Sequence, residues 1–598
     1  MKRKTEGTKP HTLYTRWGRE LDRACPLPEY PRPQLQRENW LCLNGPWEYA
    51  IRAADEGEPE RYDGQIIVPF SPESPLSGVG RQLLPGQTLW YRRAVEMERT
   101  GPGQRLLLHF GAVDQRCTVS VNGKEAGSHA GGYWPFCLDI TELVSGGGNT
   151  LTVAARDESD TGIEAYGKQA LRRGGIRYTA QSGIWQTVWM ETVPRQYIEN
   201  IRITPLFGQA AVEFRVETAG EEGSAQGRIE VYEEERLAAA GDLVEGYLRL
   251  PLPGFRSWSP DDPFLYTVKA TMGQDTVISY FGMREFGHVR DEKGRIRLAL
   301  NGKPVFHTGL LDQGYWSDGL YTPPSDDAMA WEIAELKKLG FNILRKHIKI
   351  EPLRWYYHCD RLGMLVWQDF VSGGGPYRHM VTEWLPFINV RLSDGRYGLF
   401  GRSGGEGRAV FERDMERTVQ LLYNAVGLAV WVPFNEGWGQ FDACRIADAV
   451  RSLDPTRLID HASGWHDQRC GDFMSRHIYY KRYRYKNDPA GRIPALTEFG
   501  GYSCPTAGHM ASDTLFGYRM YQTPAELTAA FVKLYRDEVL PAVERGLSAA
   551  VYTQVSDVED EINGVFTYDR AVQKLDAGAV QGINAKLRQA LSLCCSPK

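Results

Sequence analysis

Residues Leu428 to Phe434 are apolar or β-branched almost without exception and run straight into Asn435 and Glu436. An unbroken apolar run of that length reads as a strand buried on both faces, as in a parallel sheet covered by helices. Ile493 to Thr497 repeats the pattern more briefly and ends at Glu498, with Pro494 near the strand start, where its missing N–H does least harm. From about Asn301 onward, eight such runs alternate with helical periods: 305–311, 341–347, 363–370, 428–436, 457–462, 473–480, 493–498 and 549–554. The segment SDDAMAWEIAELKKLG opens on a Ser cap and closes at Gly340, and further helices are predicted near 408–424, 523–540 and 577–592. Eight strands with intervening helices predict a (β/α)8 TIM barrel over 287–598, with Glu436 at the end of its fourth strand and Glu498 at the end of its seventh.

Ahead of the barrel the period changes. Short alternating runs such as LWYRRAVEM (89–97), RLLLHF (105–110), CTVSVNG (117–123) and NTLTVAARD (149–157), separated by Gly-rich turns, predict an all-β sandwich over 1–195. A second set of strands in 196–286, punctuated by WSPDDPFLY (258–266), has the length of one immunoglobulin-like sandwich. The fold class expected is therefore multidomain, β followed by α/β.

The 598 residues suit several domains, and 42% hydrophobic with 24% charged residues is an ordinary globular balance, so disorder need not be invoked. A net charge of -5 without a basic stripe argues against nucleic-acid or anionic-membrane partners. The basic opening MKRKTEGTKPH precedes no apolar segment, so neither a secretory signal nor an anchor is expected, and a cytoplasmic location follows. Ten scattered cysteines without C-x-x-C spacing suggest reduced thiols rather than a zinc site or a disulfide framework. Sixteen Trp and thirty Tyr can supply faces on which a sugar stacks, although most belong in cores.

Two carboxylates at the C-terminal ends of barrel strands converge at the face where barrel active sites form. Beyond that, the chain resembles glycoside hydrolase family 2, which includes β-galactosidases, β-glucuronidases and β-mannosidases. YPRPQLQRENWLCLNGPWEYAI (30–51) and SGIWQTVWME (182–191) resemble the opening and close of the family's jelly-roll sugar-binding domain. RKHIKIEP (345–352), VWQDF (366–370), FNEGWGQ (434–440) and TEFGG (497–501) resemble its second-strand, third-strand, acid/base and nucleophile segments. The resemblance implies an N-terminal jelly roll and a retaining mechanism, with Glu498 as nucleophile and Glu436 as acid/base. It makes Asn435 the partner of the sugar 2-hydroxyl, places His347 and Asp369 along the sugar, and sets Tyr479 beside the nucleophile. Arg345 is a further expected partner of Glu498. Trp316, Trp465 and Tyr552 are subsite candidates. Trp431, Phe434 and Trp438 are expected to desolvate Glu436 and keep it protonated.

Departures from the family pattern bear on substrate. Where β-glucuronidases carry Asn-x-Lys, this chain reads Glu561-Ile562-Asn563, and a second carboxylate there would repel a uronic acid. The Asn584–Lys586 spelling falls in a late helix, out of register. By spacing from SGI, Arg177 stands where some members place an Asp that reaches the site, so no sodium site built on that Asp is expected. The function expected is exo-acting retaining hydrolysis of a terminal neutral β-linked sugar, a β-galactoside, with no cofactor or metal. β-Glucuronidase or β-mannosidase specificity is the alternative within the family. Outside it stand a carbohydrate-binding protein on a decayed scaffold and a metal-dependent hydrolase drawing on His461, His477, Asp460 and Asp369. The resemblance also allows a homo-oligomer, because partner loops complete the site in some relatives.

Overall fold

The computed structural model describes residues 11–97, 100–220, 226–388 and 390–595. The basic start of the chain, residues 1–10, lies outside them.

The jelly roll is built from a six-stranded and a four-stranded antiparallel sheet. Strand Gln87–Met97 lies between Gly45–Ala53 and Gly147–Arg156, with Tyr91 opposite Val153. Alternate side chains face inward, so Trp47, Tyr91, Leu108, Val119, Val153 and Ile184 share one core. The second sandwich pairs a three-stranded sheet with a four-stranded one around Ile201, Phe214, Val231, Val268 and Phe281. A buried ion network joins the two sandwiches: Arg37 spans Glu191 at 2.9 Å and Asp275 at 2.8 Å. Trp258, from the WSPDD segment, donates its indole N–H to the Asp360 carbonyl at 2.8 Å and so ties the second sandwich to the barrel.

Eight parallel strands form the third domain: β1 (His307–Asp312), β2 (Ile343–Lys346), β3 (Leu365–Asp369), β4 (Leu428–Val432), β5 (Leu458–Ile459), β6 (Phe473–Ile478), β7 (Ile493–Gly500) and β8 (Ala549–Thr553). Their order, β5-β4-β3-β2-β1-β8-β7-β6, leaves only the β5–β6 seam without a strand ladder. Asp472 spans that seam, its N–H donating to the Ile459 carbonyl at 2.9 Å and its carboxylate accepting from the Ile459 N–H at 2.7 Å. Helix α1 (Asp326–Lys338) starts where the Ser325 hydroxyl accepts the Ala328 N–H, carries Asp326 and Asp327 in its first turn and Lys337 and Lys338 in its last. Helices α2 (Leu353–Leu362), α3 (Gly405–Leu422), α4 (Ala443–Leu453), α5 (Pro524–Leu534) and α6 (Ala577–Cys595) complete the outer ring. Among the described residues, the β5–β6 and β6–β7 connections carry no helix.

One expectation changes. Cys444 at the start of α4 and Cys470 in the β5–β6 connection are joined in a disulfide with Cα atoms 5.6 Å apart. Their spacing of 26 residues carries no signature, because the barrel rather than the local chain brings them together. Asn584 is structural, as expected of its register: it accepts from the Thr308 hydroxyl and donates to the Leu339 carbonyl. Among the described residues, no helix is long and apolar enough to cross a membrane.

Candidate active site

After β4 the chain turns tightly, the Trp438 N–H donating to the Asn435 carbonyl at 2.8 Å. Glu436 sits inside this turn with φ +51°, a left-handed conformation that costs a non-glycine residue roughly 1–2 kcal/mol. Two backbone bonds to the segment after β5 hold it there: Glu436 N–H to the Ser463 carbonyl (3.1 Å) and Ser463 N–H to the Phe434 carbonyl (2.8 Å). Gly437 follows at φ +76°, where an added Cβ would stand 2.7 Å from the His466 ring. Glu498 comes from within β7, and the parallel register sets it opposite His477 of β6.

The two carboxylates meet at that histidine. His477 Nδ1 lies 2.8 Å from Glu436 Oε1 and 3.5 Å from Glu498 Oε2. One ligand atom from each of the three residues falls within 4.8 Å of the others. On the other side of the ring, Nε2 accepts from Arg345 (3.4 Å) and adjoins the Ser463 hydroxyl (3.2 Å), so the network assigns the hydrogen to Nδ1, which donates to Glu436. Burial pushes the His477 pKa down to about 4 against the pull of Glu498, and the ring is neutral near pH 7.

Arg345 organises the deep wall. It donates to both oxygens of Asp369 (3.0 and 3.1 Å), to Glu498 Oε1 (3.0 Å) and to Asn435 Oδ1 (2.7 Å). Desolvation opposes its charge, but Asp369 and Glu498 more than offset this and it stays cationic. Tyr479 donates its hydroxyl to the second oxygen of Glu498 and stacks on Tyr518 with ring centroids 3.9 Å apart. Both Glu498 oxygens are thus steadied by donors, which suits an anionic nucleophile. His347 completes the wall through Nδ1, 2.7 Å from Asp369. The Asn435 amide nitrogen is buried with no hydrogen-bond partner, an arrangement expected of a group that serves a bound hydroxyl.

Burial raises the Glu436 pKa to about 7; Lys168 and Arg345 pull it down, while Glu383 and Glu561 add to the rise. The free Glu436 oxygen therefore carries an available proton near neutrality. If Glu436 is the acid, kcat/KM for a poor leaving group should fall as pH rises through about 7, and this limb should vanish in Glu436→Gln. A pH profile of both proteins checks it.

Glu436 opens into a cavity of about 660 Å³, lined also by Trp438, Trp465, Tyr518 and Tyr479, the residue that holds Glu498. Tyr377 and Glu383 reach it from the Gly-rich insertion of 371–407, and Arg172 and Arg177 from the jelly roll.

Of the residues singled out in sequence, Glu436, Glu498, Asn435, Arg345, His347, Asp369 and Tyr479 form one hydrogen-bonded group, and Trp465 lines the cavity. Trp316 stands apart, beneath the Arg570 guanidinium at 4.3 Å and beside Trp17. Tyr552 faces out of the barrel against Phe499 and Phe531 of α5, and its hydroxyl accepts the Tyr502 N–H. Trp431 and Phe434 also face outward, stacked on Phe370 and Phe411, so Trp438 alone of the three expected aromatics lines the cavity beside Glu436. In the sequence His477 stands out only as a metal ligand, although its two-residue spacing from Tyr479, the residue just past β6, is that of side chains on one face of an extended chain. Tyr518 and Lys168 were missed, and neither carries a local signal. Among the described residues, Glu436, His477 and Glu498 are the one group placed to hold a metal ion. Asp460 instead bonds Ser475, and His461 pairs with Asp467.

Three family models match in succession: glycosyl hydrolases family 2, sugar binding domain, over residues 83–194; glycosyl hydrolases family 2 over 196–284; and its TIM barrel domain over 291–570. A putative β-glucuronidase of Formosa agariphila is 25% identical over 470 residues, covering 73% of this chain and 38% of that protein. A β-glucuronidase of Bacteroides fragilis is 23% identical, covering 75% and 64% respectively. A β-galactosidase of Thermoanaerobacter pseudethanolicus is 24% identical, covering 47% and 39%. The chain spans only 34–39% of the first three of its curated relatives. The solved structure of a β-D-glucuronidase of Dictyoglomus thermophilum superposes with a TM-score of 0.72 at 17% identity, covering 93% of this chain and 98% of that one, which shows a common fold. With sugar-binding, middle and barrel models following one another from residue 83 to 570, and with the paired carboxylates at the mouth of that barrel, the chain belongs to glycosyl hydrolases family 2.

Proposed function

We propose that this chain is an exo-acting, retaining β-glycosidase that works by double displacement. The observation that carries the proposal is the approach of Glu436 and Glu498 to one His477 nitrogen, at 2.8 and 3.5 Å. Carboxyl groups about 5–5.5 Å apart suit nucleophilic attack, whereas an inverting pair stands roughly 6.5–9.5 Å apart to admit a water. In the first step a Glu498 oxygen attacks the anomeric carbon while the Glu436 proton passes to the departing oxygen. In the second, Glu436 takes a proton from water, and the hydroxide formed displaces Glu498. Asn435 offers its free amide hydrogens to a ring hydroxyl. Arg345 and Tyr479 hold the nucleophile in place, and the enclosure of the cavity by two domains favours a chain end over an internal linkage.

Substrate choice is less straightforward. The ground for a neutral sugar, and so for a β-galactoside, was the Glu561 carboxylate, which here accepts from the Tyr178 hydroxyl and the Asn563 amide. Each of its oxygens holds one donor and the residue is buried, yet its charge still reaches the site and adds to the rise of the Glu436 pKa, and Lys168 stands near enough to oppose it. Uronide cleavage gains support from the names of the relatives, β-glucuronidases and a β-galacturonidase among them.

A nitrophenyl β-glycoside panel tests the proposal, with the product followed by NMR. Turnover should release the β-anomer first and should be unchanged by a chelator. Loss of activity on chelation, restored by a divalent ion, would instead support a metal centre at Glu436, His477 and Glu498, whose donor set admits one. Absence of turnover across the panel, with sugar binding intact, would favour the binding-protein alternative.

A further inference from the structure

Lys168 and Arg177 belong to the jelly-roll domain, yet Arg177 lines the cavity at the barrel mouth and Lys168 reaches the Trp438 ring that lines it too. Their segment is anchored there by backbone bonds from Tyr166 and Gly167 N–H to the Ser372 carbonyl, 3.0 and 2.9 Å, and from Tyr178 N–H to the Lys168 carbonyl, 3.0 Å. Gly167 has φ +62°, and an added Cβ would stand 2.7 Å from the Ile348 carbonyl, so the approach to the end of β2 requires glycine. This anchoring places two cationic heads on one aromatic ring: Lys168 Nζ is 4.9 Å from the Trp438 centroid and the Arg177 guanidinium carbon is 4.5 Å from it. Trp438 lines the cavity two residues beyond Glu436.

Neither head has a hydrogen-bond acceptor or ion-pair partner among the described residues. Arg173, between them in sequence, shows the contrasting case, pairing with Glu559 and Asp560. Lys168 is only 6% exposed. An ammonium held out of water with no acceptor is unfavourable, and a second cation on the same ring adds repulsion. Desolvation accordingly lowers the Lys168 pKa; the nearby charges include Glu561, Glu436 and Glu498, and Arg177 with the opposite effect. Gly167, the neighbour of Lys168, packs against the carbonyl of Ile348, the residue after His347, which sets the Lys168 segment against the deep wall.

We propose that Lys168 and Arg177 are specificity-determining residues that together bind the carboxylate of a terminal uronic acid whose anomeric carbon lies between Glu436 and Glu498. A planar carboxylate can accept from the ammonium and the guanidinium fork at once, satisfying both heads and cancelling their repulsion. A neutral sugar would leave two cations unpaired. The inference rests on the glycosidase reading and replaces the sequence-based expectation of a neutral sugar.

The test compares nitrophenyl β-glucuronide, β-galacturonide, β-galactoside and a 6-sulfated β-galactoside on wild type, Lys168→Met, Arg177→Met and Lys168→Arg, with melting temperatures confirming that each protein folds. One of the uronides should exceed the galactoside in kcat/KM by about 100-fold or more, and each Met variant should cut that ratio by roughly 10–100-fold, the effect of losing one hydrogen bond to a charged group. Lys168→Arg should restore part of it. Preference for the galactoside, or equal loss on charged and neutral substrates in both Met variants, would overturn the proposal. Preference for the sulfated sugar over both uronides would overturn the carboxylate assignment. If nothing in the panel turns over, the glycosidase reading fails separately. Calorimetry with free glucuronate, galacturonate and galactose then decides the present inference: tighter binding of a uronate than of galactose supports it, and equal or weaker binding overturns it.

Discussion

Replacing Glu498 with Gln should lower the turnover of every glycoside by at least about 10⁴-fold, whatever the leaving group, because loss of a covalent nucleophile is not compensated by the groups around it. The substitution is nearly isosteric, but it changes more than charge. The Glu498 oxygens accept from Arg345 at 3.0 Å and from the Tyr479 hydroxyl; an amide nitrogen at either place would confront a donor with a donor. Some loss of stability should therefore accompany the loss of rate, read as a lower melting temperature. An external azide should rescue the smaller Glu498→Ala variant and give a glycosyl azide of inverted configuration, because azide then attacks from the vacated face. Near wild-type turnover in Glu498→Gln would remove this residue from the mechanism.

Glu436→Gln should divide substrates by leaving group. An alkyl glycoside needs its oxygen protonated and should lose roughly 10²–10⁴-fold in kcat/KM, the range of general acid catalysis. A dinitrophenyl glycoside departs unaided, so its first step should be nearly spared while hydrolysis of the glycosyl-enzyme slows for want of a base. A burst of phenolate and a lowered KM would show the intermediate accumulating. In Glu436→Ala, azide should accelerate the second step and yield a product of retained configuration, the opposite of the azide product from Glu498→Ala. Equal losses on both substrates, without a burst, would leave Glu436 with only a structural role. The raised pKa of Glu436, about 7, places its working range at neutrality, where a carboxyl in water would already be ionised.

How much of this was legible beforehand differs from residue to residue. The eight barrel strands stand where the apolar runs placed them, because continuous burial on both faces leaves a local mark on composition. The two glutamates were visible for the same reason: each follows or ends such a run. Asn435, Arg345, His347, Asp369 and Tyr479 were expected from the family resemblance of the segments that carry them, and one hydrogen-bond network joins them in space. The aromatics were harder. Tyr552 lies on a barrel strand and Trp316 just beyond one, but the direction of each ring depends on barrel geometry and on its neighbours, and both turned to other partners. Tyr518, which stacks on Tyr479, lies in a connection without any period.

The chain's own order of residues was enough to establish the sequence of domains, the strand count and the two acidic positions, since periodicity and apolar content are properties of neighbouring residues. Tertiary structure alone decided that His477 bridges the carboxylates, that Cys444 meets Cys470, and that Lys168 and Arg177 cross from the jelly roll to the Trp438 face. Each of these depends on distance through space between segments far apart in the chain. Burial and Coulomb forces act over that distance, and they raise the pKa of Glu436 while the fold sets two cations on one indole ring.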